Sequence, residues 1–283
     1  MIRTIINAIT TATRALFGNW KTTAVFVVLY AAFVFTLYLF FTTPEARMWQ
    51  VAFTILLTLL IPVLFFVLQT MGVEYVNSKR KFSELLACAG REFWKPLLLS
   101  LPVLVLAWLV IWGLNKLDYS LTAGIREAAN SAGTDTAYKA GEERIKTLAL
   151  VMTVVSALVI YFIVPLFSMH LWITTLRDGI KQTLKGFLRV LLRAFAPRSV
   201  LTYLLGFVVF GVLPYYIVTM RTPIKSPWLD LSVLGLRIGL ALLVILLGWV
   251  VTLGTLAILT PQTPVPAAKE SETPTLNAEG ATI

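Results

Sequence analysis

Five basic residues, Arg177, Lys181, Lys185, Arg189 and Arg193, recur every four positions along one segment. Residues four apart lie one above another on a helix, so this spacing lines cations along a single face. The chemistry of such a stripe is anion recognition, of lipid phosphates or an acidic partner, with no bond made or broken. Leu176, Ile180, Leu184, Phe187, Leu188, Leu191 and Phe195 fall on an adjoining apolar face. Together they predict a helix over 176–195 that lies in the membrane interface, cations among headgroups and apolar side among acyl chains. Each cation near an anionic surface contributes about 1 kcal/mol at low salt. The cluster Lys79, Arg80 and Lys81 precedes a weaker segment of the same kind, with Phe82, Leu85, Ala89 and Phe93 on one face. In residues 1–20, Ile2, Ile5, Ile6, Ile9 and Leu16 oppose Arg3, Asn7 and Arg14 as a third amphipathic helix.

The residues that would support catalysis are sparse. His170 is the only histidine and Cys88 the only cysteine. A catalytic histidine needs an orienting group and a reacting partner, and a metal needs several ligands at suitable spacing. No such cluster, glycine-rich phosphate loop or nucleophile motif stands in the chain, so neither an enzyme nor a bound cofactor or metal is expected. His170 is expected as a polar residue at a helix end near the headgroups. A lone cysteine forms no internal disulfide. A different chemistry is open to Pro62 and Pro165, which each remove a backbone hydrogen bond inside an apolar segment. In transporters such breaks expose carbonyls to a substrate. Pro62, Pro165, Gln69 and His170 are the candidate lining of a transport path.

These residues are positioned by six stretches without Asp, Glu, Lys or Arg, at 22–44, 48–73, 96–115, 147–176, 199–220 and 238–268. A helix needs about 20 apolar residues to cross a hydrocarbon core of about 30 Å. The expected architecture is an all-α polytopic membrane protein. Its spans are placed near 22–43, 49–71, 96–115, 148–171, 199–220 and 236–260, within one transmembrane domain over 21–260. Residues 261–283, with four prolines and no aromatic, are expected as a disordered tail. The chain is 58% hydrophobic and 13% charged, where a soluble domain carries about 25% charged residues. The first span starts late and runs long for a cleavable leader and is expected as a retained anchor.

Orientation follows from Lys and Arg. The regions before span one, between spans two and three, and between spans four and five hold 14 basic and four acidic residues. The opposite connections hold nine basic and seven acidic. The positive-inside rule then places both termini in the cytoplasm, in what is expected to be a bacterial inner membrane. Topology therefore accounts for the basic balance, and nucleic acid is not an expected partner. Trp20, Trp94 and Trp172 are expected at inner membrane boundaries, and Trp49, Trp112 and Trp228 at outer ones.

Each amphipathic segment precedes a pair of spans, which suggests a threefold internal repeat. A shift of 103 residues superposes Pro62 and Leu68 on Pro165 and Leu171, and a shift of 102 superposes Arg91 and Phe93 on Arg193 and Phe195. No span carries a carboxylate, which disfavours proton coupling through a buried acid. Two functional expectations follow. One is a non-enzymatic scaffold or accessory subunit that contacts anionic lipid, a membrane-protein partner or a second copy through Arg177, Lys181, Lys185, Arg189, Arg193 and the 79–81 cluster. The other is a permease or lipid-handling protein that works at the repeat interface.

Overall fold

The computed structural model describes residues 1–44, 46–76, 82–220 and 226–260. The Lys79, Arg80 and Lys81 cluster and the tail at 261–283 lie outside them. Among the described residues no strand is present. In chain order the helices are α1 (Ile2–Phe17), α2 (Trp20–Thr42), α3 (Met48–Glu74), α4 (Phe82–Glu92), α5 (Trp94–Ala132), α6 (Asp135–Leu158), α7 (Val164–Asp178), α8 (Ile180–Lys185), α9 (Phe187–Ala194), α10 (Pro197–Phe207), α11 (Leu213–Thr219) and α12 (Pro227–Leu259). A five-residue π-helical turn, Val159–Ile163, joins α6 to α7, and another, Val208–Val212, joins α10 to α11. Six stretches are long and apolar enough to cross a membrane: Trp20–Thr42, Met48–Glu74, Trp94–Ala132, Tyr138–Asp178, Pro197–Thr219 and Trp228–Leu259. The chain is thus an all-helical multi-pass membrane protein. Helix is the secondary structure these apolar blocks demand, because hydrocarbon cannot solvate an unpaired backbone.

Six crossings return the chain to its starting side, here called the basic end after the connections it receives. The packed core lies toward that end. Half of the apolar window of α12 is buried inside the protein, against 11–17% in the other five stretches, so α12 is the central post. Phe66 through Tyr75 at the end of α3 and Leu166 through Leu176 of α7 are buried without interruption. Leu99 and Val103 of α5, Tyr203 of α10 and Leu253, Leu256 and Ala257 of α12 complete the main cluster.

The two helices flanking the outer connection are longer than the spans expected at 96–115 and 148–171. The 39 residues of α5 extend about 58 Å at 1.5 Å per residue, nearly twice the hydrocarbon thickness. What reads as a connection at 116–147 is therefore a helical hairpin, turned at Gly133 with φ 63°, a left-handed conformation that favours glycine. Asp135 is the first helical residue of the second arm, and the Tyr138 N–H bonds to the Thr134 carbonyl at 3.1 Å. The arms approach closely where Gly141 lies against Ala129.

At the basic end, α1 packs along α12 and buries Ile5, Ala8, Ala12 and Leu16. This stripe replaces the face expected from Ile2, Ile5, Ile6, Ile9 and Leu16, for Ile2 and Ile6 are exposed. Two alanines let the helix axes come together, a gain in packing that larger residues would forfeit. α4 buries Leu85 and Ala89 beside Tyr75, which follows the end of α3, on the face the sequence predicts.

Candidate membrane-interface site

The segment expected as one helix over 176–195 is divided. α7 continues to Asp178 and stops at Gly179, whose φ of 81° no regular helix uses. A second break falls at Gly186, between α8 and α9. These breaks lay α8 and α9 back against α7, with Thr183, Val190 and Ala194 buried. The opposite side keeps Leu184, Phe187, Leu188, Leu192 and Phe195 exposed, with Leu188 and Leu192 each at 67%. Lys181, Lys185 and Arg189 are exposed beside them. The result is a short helical element with one side taken by protein and one apolar, cation-edged side open. Leu192 belongs to that open side, whereas Leu191, assigned to it by spacing, packs on the core.

The other two cations of the stripe do different work. Arg177 turns inward, and its Nη1 donates to the Thr260 carbonyl at 2.8 Å, at the end of α12. The charges of Glu74, at the end of α3, and of Asp178 bear on the same guanidinium. Arg177 thereby ties together the basic ends of α3, α7 and α12, because a cation is favoured at helix C-termini. Arg193 is half-buried on α9, and its charge bears on the His170 ring. His170 is 2% exposed, and neither ring nitrogen has a hydrogen-bond partner among the described residues.

Of the residues expected to line a transport path, Gln69 is engaged within the protein, whereas the His170 ring has no hydrogen-bond partner among the described residues. The Trp249 indole N–H donates to Gln69 Oε1 at 2.7 Å. Pro165 has no N–H for the carbonyl of Tyr161, four residues earlier, and its ring would clash with it in a regular α-helix. The chain widens there into the first π-helical turn, in which the Val164 N–H reaches the Val159 carbonyl. The stranded Tyr161 carbonyl then accepts a 2.6 Å hydrogen bond from the Tyr203 hydroxyl on α10. The second π-helical turn stands in the same relation to Pro214. In this local geometry Pro165 pairs with Pro214, since α3 runs through Pro62 as continuous α-helix.

An aromatic band fills the bundle at this level. Phe65 and Phe66 meet Trp172 edge-on, Trp172 approaches Trp249, and Trp249 meets Phe210. Trp172, expected at a membrane boundary, is 4% exposed within this band. Its indole N–H donates to Ser100 Oγ at 2.7 Å, which satisfies its one polar group in the interior. Tyr203→Phe is expected to cost about 1–2 kcal/mol, because it leaves the Tyr161 carbonyl without a donor. Unfolding in mixed micelles measures this, and a change below a few tenths would show that the bond contributes nothing.

Among the described residues, no group of three or more His, Cys, Asp or Glu is placed to hold a metal ion. Compared with protein-family models, curated proteins and solved structures, the chain matches none of them.

Proposed function

We propose that the protein is a non-enzymatic scaffold or accessory subunit that lies with α8 and α9 in the headgroup layer and holds anionic lipid or a membrane partner against them. The observation that carries this reading is the open side of α8–α9. Leu184, Leu188 and Leu192 are exposed in register with Lys181, Lys185 and Arg189, on an element fixed to the bundle by its other side. An apolar surface edged by cations at the end of six apolar helices matches the boundary between acyl chains and anionic headgroups. α1 and the end of α12 stand at this end of the bundle, and the positive-inside rule supports a cytoplasmic placement for it.

The test is Lys181→Gln, Lys185→Gln and Arg189→Gln together. In nanodiscs of mixed anionic and zwitterionic lipid at low salt, the triple variant should retain anionic lipid more weakly by up to about 3 kcal/mol, or two orders of magnitude. Native mass spectrometry counts the retained lipids. Retention equal to that of the parent protein, with equal recovery of partners from the native membrane, would overturn the reading.

A permease is the second reading, and a recess of about 410 Å³ between α5 and α6, lined in part by Asn115, Asp118, Thr153 and Ser156, favours it. The engagement of Gln69 by Trp249 and of the Tyr161 carbonyl by Tyr203 weighs for the scaffold. Solute or lipid flux through reconstituted vesicles would reverse that order.

A further inference from the structure

We infer that the recess between α5 and α6 is a binding site for a primary ammonium ion, carried by a small amine with an apolar body or by a phosphatidylethanolamine headgroup. Asp118 lines the recess, and one oxygen of its carboxylate, Oδ1, is closed to water without a hydrogen-bond partner. A carboxylate held in this way lacks the positive charge and the donors that a partner or water normally supplies. Lys116, two positions away, is engaged elsewhere, its Nζ 5.2 Å from the centroid of the Trp112 ring. Asp118 forms no ion pair among the described residues. On the facing helix, the Thr153 hydroxyl donates to the Ala149 carbonyl at 2.7 Å, which leaves its oxygen only as an acceptor. Asn115 and Ser156, also on the lining, bring an amide oxygen and a hydroxyl. A molecule that meets these groups must donate hydrogen bonds, and one that meets the unpaired carboxylate must be positive. A primary ammonium does both through three N–H groups.

Size separates an organic cation from a bare metal ion. The recess holds about 410 Å³, within the roughly 300–1,000 Å³ of small-molecule sites, whereas a hard metal ion needs its oxygens drawn in to about 2.0–2.6 Å. Leu114, Met152 and Ala157 give an apolar wall to the body that carries the charge. Asp118 lies about 36 Å along α5 from Trp94, a distance that exceeds the hydrocarbon thickness of about 30 Å. A second recess of about 880 Å³ runs from the same Asn115 and Asp118 along α5 to Asn130 and Ser131. The site is thus approached from the end of the bundle opposite α8 and α9. The inference concerns binding and goes beyond both functional readings, since a scaffold and a permease can each hold an amine there.

The full-length protein in detergent is titrated with tritiated benzylammonium at low salt, and the bound amine is counted by scintillation proximity. Saturable binding is expected, with the neutral analogue benzyl alcohol unable to compete. Asp118→Asn, which keeps the shape of the side chain and removes its charge, should weaken binding at least tenfold. Ala157→Leu, which fills the recess and leaves the charge in place, should do the same; the two act by different means, so a variant that misfolds leaves the other to decide. Asp135→Asn, at an exposed acid outside the recess, should bind like the parent. Competition by dioctanoyl phosphatidylethanolamine but not by dioctanoyl phosphatidylcholine assigns the ammonium to the headgroup, and its absence assigns it to a free amine. Binding without flux through vesicles keeps the site and refuses the permease. The inference is overturned if binding does not saturate, if Asp118→Asn binds like the parent, or if benzyl alcohol competes equally. Displacement by sodium chloride beyond that by tetramethylammonium chloride at equal ionic strength also overturns it, in favour of an inorganic cation.

Discussion

Replacing Gly206 or Gly254 with leucine should each lower stability by about 3 kcal/mol, at the upper end of overpacking penalties. A Cβ on Gly206 of α10 would fall on the side chain of Thr252, and one on Gly254 of α12 would fall on the Tyr75 hydroxyl. Neither neighbour is free to swing away. Thr252 donates to the Gly248 carbonyl at 2.7 Å, and Tyr75 donates to the Val250 carbonyl at 3.3 Å. In lipid, helices gain little from hiding apolar surface, so the dispersion contacts that close approach permits are a main source of association. Pushing α10 or the α3 terminus off α12 removes these contacts along the seam. A Cβ added at Gly235 or Gly239 of the same α12 would meet nothing within 4 Å, so leucine there should be nearly neutral. Equal unfolding midpoints for all four variants would show that the seam is not held by glycine contact.

Arg177→Ala should cost about 3 kcal/mol and leave anionic-lipid retention largely unchanged, the reverse of what is expected for its stripe companion Lys181. The substitution deprives the Thr260 carbonyl at the end of α12 of its donor and takes away a cation that offsets the buried Glu74. Removing a nearby cation is destabilising chiefly because the buried carboxylate stays desolvated with less to offset its charge. Adding Glu74→Gln to Arg177→Ala should therefore recover part of the loss, and the double-mutant cycle should show coupling. Strict additivity would mean that the two charges do not sense one another. Lys181→Gln, at an exposed position, should alter stability by no more than about 0.5 kcal/mol.

Much of the architecture was legible because lipid imposes a simple rule. Stretches without ionisable residues at 22–44, 48–73 and 96–115 had to be helices, and α2, α3 and α5 occupy them. The extent of α5 and α6 beyond the bilayer was hidden, since the charges of 116–147 suit a helical hairpin as well as a connector. Two signals were present in retrospect: Gly133 as the turn, and Ile125 with Ala129 spaced four apart to receive Gly141. The site was legible by half. Periodicity found Lys181, Lys185 and Arg189, but it cannot report that Gly179 ends α7 and turns the rest of the segment back upon it.

The amino-acid sequence by itself determined the solvent, the helical class, the six apolar stretches and the asymmetry of charge between the two ends, because each depends on local composition and on the free energy of placing a residue in hydrocarbon. Tertiary structure alone decided which cations face outward. Arg177 and Lys181 are equivalent in type and spacing, yet one clasps the ends of α3, α7 and α12 while the other remains exposed. It also decided that the carbonyl freed by Pro165 is answered by Tyr203, 42 positions from its partner. These are pairings between distant helices, and their energies depend on distance and burial, which no spacing along the chain encodes.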